Sequence, residues 1–313
     1  SDELNSPEPY ARAESSLENG ASPLPPEPTL HPDIFGIPTP PQKIHPRRIP
    51  HLGHAVLFIA IALVLVSLVQ LAGVFAIQYG HIFAHHTFQW IFRKSATDAR
   101  FSIPIQAVAY GIIALVCIPV FSVMWHKSFG EGVHWHNDTA WTNVFRLVIL
   151  GLAMGAIVAL AGNYLPMPKN PPITQDMMGS ATGAWLMLVF GITAAPLLEE
   201  LAFRGFILPG FVNAFRWFSD HGAIPESAAK FIGIPVSILL TSIAFAFMHS
   251  PQVSHAWGPL LLIGLVSVVL CIIRLAMNSV MASVLVHAAY NFTLFAGVLY
   301  QTGGFRHLER LTS

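Results

Sequence analysis

Long apolar runs dominate the chain after about residue 50, and their lengths predict membrane-spanning helices. A helix rises ~1.5 Å per residue, so about 20 apolar residues cross the ~30 Å hydrocarbon layer of a bilayer. The runs lie near 55–77, 103–125, 144–165, 183–215, 231–248, 259–273 and 279–300. The pattern predicts an all-α fold, a polytopic membrane helix bundle of about seven transmembrane helices.

Two of these runs depart from the usual length. The fourth run holds about 33 residues and contains Pro196 and Pro209, which lack a backbone N–H, so we expect it to bend or to protrude from the bilayer. The sixth run is only about 15 residues long before Arg274, so we expect it to be short or tilted, with an embedded cavity beside it.

The first 50 residues have a different composition, rich in Pro, Glu and Ser and poor in large apolar side chains. Such a segment cannot bury enough apolar surface to offset its chain entropy, so we predict a disordered Pro-rich tail at 1–52. No charged segment followed at once by an apolar run marks a signal peptide, so we expect the first span to remain in the mature protein. The transmembrane domain is assigned to 53–305 and a C-terminal tail to 306–313.

Composition supports a membrane protein. Hydrophobic residues make up 54% of the chain and charged residues 10%, against about 25% charged in an average soluble domain, and the mean hydropathy is +0.59. The formal net charge of zero gives no indication of nucleic-acid binding. We therefore predict a multi-pass integral membrane protein, in the cell inner membrane, with the lipid bilayer as its surroundings and no nucleic-acid partner.

Small residues and basic residues add two weaker predictions. Gly151 and Gly155 lie four apart and predict a face that packs closely against another helix. Lys43, Arg47 and Arg48 precede the first run and favour a cytoplasmic N-terminus, although the next loop is also basic.

Polar side chains at helical spacing interrupt the apolar second half of the chain. A charge at the centre of a membrane helix costs ~2.5 to 3.5 kcal/mol on insertion scales, so such residues usually have a function. Glu200 and Arg204 lie four apart and are expected to pair, which largely cancels their charges. Glu199 lies about 100° round the helix from Glu200, so it must face another polar group or a water pocket, where a shielded carboxylate is a better general base.

Two further polar positions occur on later runs. His249 follows Phe245 by four residues, so the two rings are expected to share a face, although a histidine that only caps the helix would look the same. His287 and Asn291 also lie four apart and present an imidazole and an amide side by side. Two such donors suit an oxyanion hole, but a buried hydrogen bond between helices would give the same pattern.

The three segments Glu199-Glu200-Leu-Ala-Phe-Arg204, Phe245-Ala-Phe-Met-His249 and His287-Ala-Ala-Tyr-Asn291 are found in this order on separate apolar runs. Together they resemble the CAAX prenyl endopeptidase and bacteriocin-processing family of intramembrane proteases, also called Abi or type II CAAX proteases. The resemblance covers about 180–300, the motif core of the transmembrane domain.

This resemblance implies an intramembrane endopeptidase that hydrolyses a peptide bond of a membrane-associated peptide or lipidated protein, such as a prenylated CAAX-type substrate. In this interpretation Glu199 and His249 activate a water molecule, and His287 and Asn291 stabilise the oxyanion. Three residues have a supporting role: Glu200, Arg204 and Phe245.

Two alternatives stay open at this stage. We favour no cofactor, but zinc is possible, because Glu199, His249 and His287 are three residues that could ligate a catalytic zinc ion. The sequence lacks the Gly-x-Ser-x-Gly element of serine hydrolases and the His-Glu-x-x-His motif of zinc proteases. The other alternative is a non-enzymatic membrane protein that uses the polar cluster for partner binding or for proton or ion passage.

Overall fold

Helices form all the regular secondary structure in the part of the chain that the structure describes. The computed structural model describes residues 48–311 except 81, 83–84, 170, 174 and 176–178. Most of the predicted N-terminal tail, at 1–47, lies outside the described residues. Near the other end, Leu308–Leu311 form a short 3₁₀ helix.

The described residues contain seven helical segments long and apolar enough to cross a membrane, which confirms the predicted all-α membrane bundle. The first three are α1 (Leu52–Tyr79), α3 (Ala99–Trp125) and α6 (Val144–Gly162), and shorter helices lie between them: α2 (Phe88–Thr97), α4 (Phe129–Val133) and α5 (Asn137–Thr142). The other four segments are Ala181–Asp220, Glu226–Met248, Trp257–Met277 and Val280–Gln301.

The fourth segment bends, as its length and its prolines predict. It is divided into α7 (Ala181–Ile192), α8 (Ala194–Glu200), a π helix (Leu201–Ile207) and α9 (Leu208–Asp220). Between α7 and α8, Thr193 has φ −124° and ψ −84°, which is not helical. Pro196 accounts for this break, because a proline has no N–H for the carbonyl four residues earlier and its ring collides with that carbonyl.

The fifth segment comprises α10 (Glu226–Ala228), a second π helix (Ala229–Gly233) and α11 (Ile234–Met248). The sixth is α12 (Trp257–Met277) and the seventh is α13 (Val280–Gln301). The prediction of a short sixth span is wrong, since α12 has 21 residues and continues past Arg274. A charge does not end this helix because Arg274 is buried and forms hydrogen bonds to backbone and side-chain oxygens inside the protein.

The predicted small-residue face lies between α6 and α13. A Cβ atom added to Gly151 would collide with the Val286 carbonyl, and one added to Gly155 would lie 2.5 Å from the Thr293 Cβ atom. Only residues without a side chain allow this approach of the two backbones. The contact places α13, which carries two of the candidate site residues, directly against α6.

Candidate active site

A cavity of about 570 Å³ lies among the helices of the second half of the chain and α3. Its lining includes all four of the catalytic residues predicted from the sequence, namely Glu199, His249, His287 and Asn291. These side chains come from three different helical segments, so only the tertiary fold brings them together. The size is within the usual range for a ligand pocket.

Glu199 lies between the two histidines. Its Oε2 atom is 3.8 Å from Nε2 of His249 and 3.8 Å from Nε2 of His287. The side chain is 17% exposed, so it is shielded without being sealed from the cavity. This placement agrees with the prediction that Glu199 faces other polar groups and does not join the neighbouring ion pair.

His249 caps the C-terminal end of α11, where the helix leaves carbonyls without N–H partners. Its Nδ1 atom lies 2.9 Å from the Phe245 carbonyl oxygen. Because a carbonyl oxygen only accepts, Nδ1 must carry the hydrogen, and the lone pair of the neutral ring is then on Nε2, toward Glu199. The rings of Phe245 and His249 are 4.7 Å apart, so they share a face as the spacing predicts.

His287 is held by the second glutamate. Its Nδ1 atom lies 2.8 Å from Oε1 of Glu200, and the same oxygen accepts a 3.0 Å hydrogen bond from Nη1 of Arg204. The predicted pairing of Glu200 and Arg204 is therefore present, whereas the contact of Glu200 with His287 was not predicted. The ionised carboxylate accepts from Nδ1–H, so His287 also directs Nε2 at Glu199.

Arg204 is fully buried together with Glu200 and has further partners that fix its position. Its Nη2 atom donates to the backbone oxygen of Ser267 at 3.0 Å and to the Ser267 hydroxyl at 2.8 Å. The guanidinium carbon also lies 4.7 Å from the centre of the Phe245 ring, within the range of a cation–π contact. Phe245 therefore contacts both Arg204 and His249, and its supporting role remains a prediction.

Asn291 forms a partly buried hydrogen bond between helices, one of the two interpretations that its spacing from His287 left open. Its Nδ2 atom donates to the Gly191 carbonyl oxygen at 2.7 Å, near the end of α7. This is a hydrogen bond between helices. An amide NH₂ has two hydrogens, so one remains for a ligand in the cavity that Asn291 lines. Its role as an oxyanion donor remains a prediction.

The donor set of Glu199, His249 and His287 fits a catalytic zinc ion in its chemistry, and the contact of Glu200 with His287 resembles the carboxylates that orient zinc-bound histidines. The described residues contain no group of three or more His, Cys, Asp or Glu side chains placed to hold a metal ion. Tetrahedral ligands with ~2.0 Å bonds lie about 3.3 Å apart, so the observed 3.8 Å separations would have to shorten.

Several residues of the site gave no signal in the sequence. Gln106 and Tyr110 of α3 and Gln252 after α11 line the cavity, and Ser267 of α12 binds Arg204. All four are neutral residues in or beside an apolar run, and although Gln106 and Tyr110 lie four apart, neither carries a charge or an imidazole that would mark the pair as chemical. Their positions depend on how the helices pack.

Residues 181–293 match one family model, described as type II CAAX prenyl endopeptidase Rce1-like. The matched segment begins with α7, ends within α13 and contains all seven predicted site residues, so the resemblance to type II CAAX proteases is confirmed over this segment. No curated protein and no solved structure matches the chain. The chain is a multi-pass integral membrane protein, and its residues 181–293 are similar to a CAAX-type protease family.

Proposed function

We propose that this chain is an intramembrane endopeptidase that hydrolyses a peptide bond of a membrane-associated peptide with a water molecule activated by Glu199. One observation carries the proposal: Oε2 of Glu199 lies 3.8 Å from Nε2 of both His249 and His287, inside a cavity among apolar helices. A carboxylate and two imidazoles at one point provide acid, base and hydrogen-bonding groups together.

Glu199 and His249 supply the groups that orient and deprotonate the water. The Glu199 carboxylate and the Nε2 lone pair of neutral His249 are both acceptors, so one water molecule donates one O–H to each. Glu199 takes a proton as the water oxygen forms a bond to the scissile carbonyl carbon. The same proton passes to the peptide nitrogen when the C–N bond breaks, which releases an amine and a carboxylic acid.

His287 and Asn291 are suited to the negative charge that develops on the carbonyl oxygen. Since Nδ1–H of His287 donates to Glu200, donation to an oxyanion requires a second hydrogen on Nε2, and the ring is then an imidazolium. Its positive charge and that of Arg204 balance the charges of Glu199 and Glu200, so the cluster is neutral overall. The second N–H of Asn291 completes a pair of donors.

The cavity also favours a class of substrate. Its lining is mostly Phe, Met, Leu, Ile and Val side chains, and the residues that line it in the described part of the chain include no Lys or Arg. This surface suits apolar side chains on either side of the scissile bond. A peptide or lipidated protein held at the bilayer, with a prenylated CAAX-type C-terminus as the first choice, meets that requirement. We place the enzyme in the cell inner membrane.

We favour hydrolysis without a metal ion. A zinc ion, if bound, would be held by Glu199, His249 and His287 and would supply Lewis-acid activation of water. Incubation with a chelator distinguishes the two possibilities. We expect cleavage to persist after chelation, whereas a loss that zinc restores and buffer alone does not would establish the metal alternative.

The proposal is tested by incubating the purified protein in detergent with quenched fluorescent peptides, including farnesylated peptides with C-terminal CAAX sequences. We expect cleavage by the wild type and none by Glu199→Gln. The control is Glu226→Gln, which changes an exposed glutamate outside the cavity lining and should cleave as the wild type does. Cleavage that survives Glu199→Gln contradicts the mechanism. Proton or ion flux in liposomes without cleavage of any peptide would instead favour the non-enzymatic alternative.

A further inference from the structure

Arg274 is a buried cation near the site whose partners are neutral oxygens. It is 4% exposed in the last turn of α12. Its Nε donates to the Arg204 carbonyl at 3.1 Å, its Nη1 to Oδ1 of Asn278 at 3.2 Å and its Nη2 to the Val133 carbonyl at 3.3 Å. One guanidinium therefore joins α12, the π helix Leu201–Ile207 and the last residue of α4.

The Arg204 carbonyl needs this donor because of the local sequence. In the π helix the hydrogen bonds span five residues, and the N–H of Leu208 donates to the Phe203 carbonyl. In this pattern the next donor, for the Arg204 carbonyl, is residue 209. That residue is proline and has no N–H, so the helix itself supplies no donor, and Nε of Arg274 occupies the position.

The backbone and the side chain of Arg204 are therefore held by different partners. Arg274 binds its carbonyl, and Glu200 and Ser267 bind its guanidinium. Glu200 in turn binds His287, one of the two histidines beside Glu199. Hydrogen bonds on both sides of Arg204, joined through that residue itself, thus connect Arg274 with the catalytic cavity.

We propose that Arg274 is a positioning residue for the hydrolysis, because it fixes the π helix that orients Glu199 and Glu200. Arg274 does not line the cavity and acts through Arg204. π-helical turns often occur at functional sites, and displacing a catalytic group by about 1 Å can lower a rate ~100-fold. This inference rests on the proposed peptidase function for its kinetic consequence, but the geometry can be measured without turnover.

The kinetic test removes the donor and then restores one from the backbone. We expect Arg274→Met to lower kcat by about 10- to 100-fold with little change in KM. Adding Pro209→Ala returns an N–H at residue 209. The kcat of the double variant should therefore be at least about threefold higher than that of Arg274→Met. The matched control is Pro119→Ala, which also removes a proline within a helix but on α3, and it should give no recovery.

Three results would overturn the inference: full activity in Arg274→Met, no recovery with Pro209→Ala, or equal recovery with Pro119→Ala. If Arg274→Met does not fold, Arg274→Lys replaces it, since it keeps the charge without the planar fork, and the same pattern of recovery is expected.

A second readout separates this inference from the proposed function. The ¹⁵N resonances of the His287 ring, assigned by comparison with His287→Gln, report its contact with Glu200 without any substrate. We expect them to shift in Arg274→Met and to return toward the wild-type values when Pro209→Ala is added. Failure of the wild type to cleave peptides contradicts the proposed function alone, whereas unchanged resonances in Arg274→Met contradict the positioning role.

Discussion

Nδ1 of His287 lies 2.8 Å from Oε1 of Glu200, so the glutamate that neutralises Arg204 also orients a histidine of the cavity. Both side chains are nearly or fully inaccessible, with exposures of 4% for His287 and 0% for Glu200. The ion pair is therefore linked directly to the candidate chemistry. Because of this contact, we expect substitutions of Glu200 or Arg204 to lower stability and activity together.

Removing both charges of this buried pair should be less harmful than the sum of the two single removals. Arg204→Met leaves Glu200 buried without its guanidinium partner, and we expect a loss of ~3 to 5 kcal/mol in the free energy of unfolding. The double variant Glu200→Gln/Arg204→Met leaves no unpaired charge, so its loss should be smaller than the sum of the single losses by about 0.5 to 3 kcal/mol. Unfolding in detergent, followed by circular dichroism, measures the cycle.

Glu200→Gln, Arg204→Met and the double variant should also cleave peptides poorly, since each removes the negative charge that orients His287 or the cation that holds the Glu200 carboxylate. Additive losses of stability in the double variant would show that the two side chains do not interact in the folded protein.

Asn291 is predicted to act on the transition state as well as on the fold. Asn291→Asp keeps the shape but removes both N–H donors, and the lost oxyanion donor should lower kcat by about 10²- to 10³-fold. The broken hydrogen bond to Gly191 should also lower the melting temperature. A variant with a lower melting temperature and an unchanged kcat would show that Asn291 only joins the two helices.

The close contact of α6 with α13 gives a prediction about packing. Gly155→Ala places a Cβ atom 2.5 Å from that of Thr293, so we expect a loss of ~1 to 3 kcal/mol in stability. Activity should fall too, because α13 carries His287 and Asn291. Gly111→Ala is the control, since its Cβ would meet no atom within 4 Å, and it should leave stability equal or slightly higher. Equal melting temperatures for the two variants would contradict the close approach.

His134, in the segment between α4 and α5, predicts a dependence of stability on pH. Burial lowers its pKa from 6.5 to about 4, with smaller contributions from Arg274, His136 and Lys127. The folded protein therefore binds this proton less readily than the unfolded chain does. This costs nothing above pH 6.5, and the penalty grows as pH falls from 6.5 to about 4.

The wild type should accordingly lose more of its melting temperature between pH 7 and pH 5 than His134→Gln loses. The exposed His221 provides the control, and His221→Gln should behave as the wild type does. Equal losses in the wild type and His134→Gln would exclude a contribution from this ring.

Local spacing was sufficient to predict the features that depend on one helix. Runs of about 20 apolar residues predicted the seven spans, and a separation of four residues predicted both the pair of Glu200 with Arg204 and the contact of the Phe245 and His249 rings on one face. Gly151 and Gly155 predicted a close contact but not that α13 was the partner.

Contacts between helices could not be predicted from the sequence, because no spacing rule connects residues far apart in the chain. No pattern in the chain indicated that Glu200 would contact His287, 87 residues later, or that Asn291 would donate to the Gly191 carbonyl. Arg274 was mistaken for the end of a span, because a charge in an apolar run marks a boundary unless tertiary partners satisfy it. Those partners, Arg204 and Val133, are 70 and 141 residues away.

The hydrogen bond from Nδ1 of His249 to the Phe245 carbonyl connects the folding of α11 with its proposed chemistry. The same N–H that completes the last turn of the helix also selects which ring nitrogen is free to face Glu199. A substitution at this position cannot change one property and preserve the other. Loss of activity in a His249 variant should therefore be interpreted only beside the helicity of that variant, and replacement of the ring by a close imidazole analogue is the cleaner way to alter its basicity.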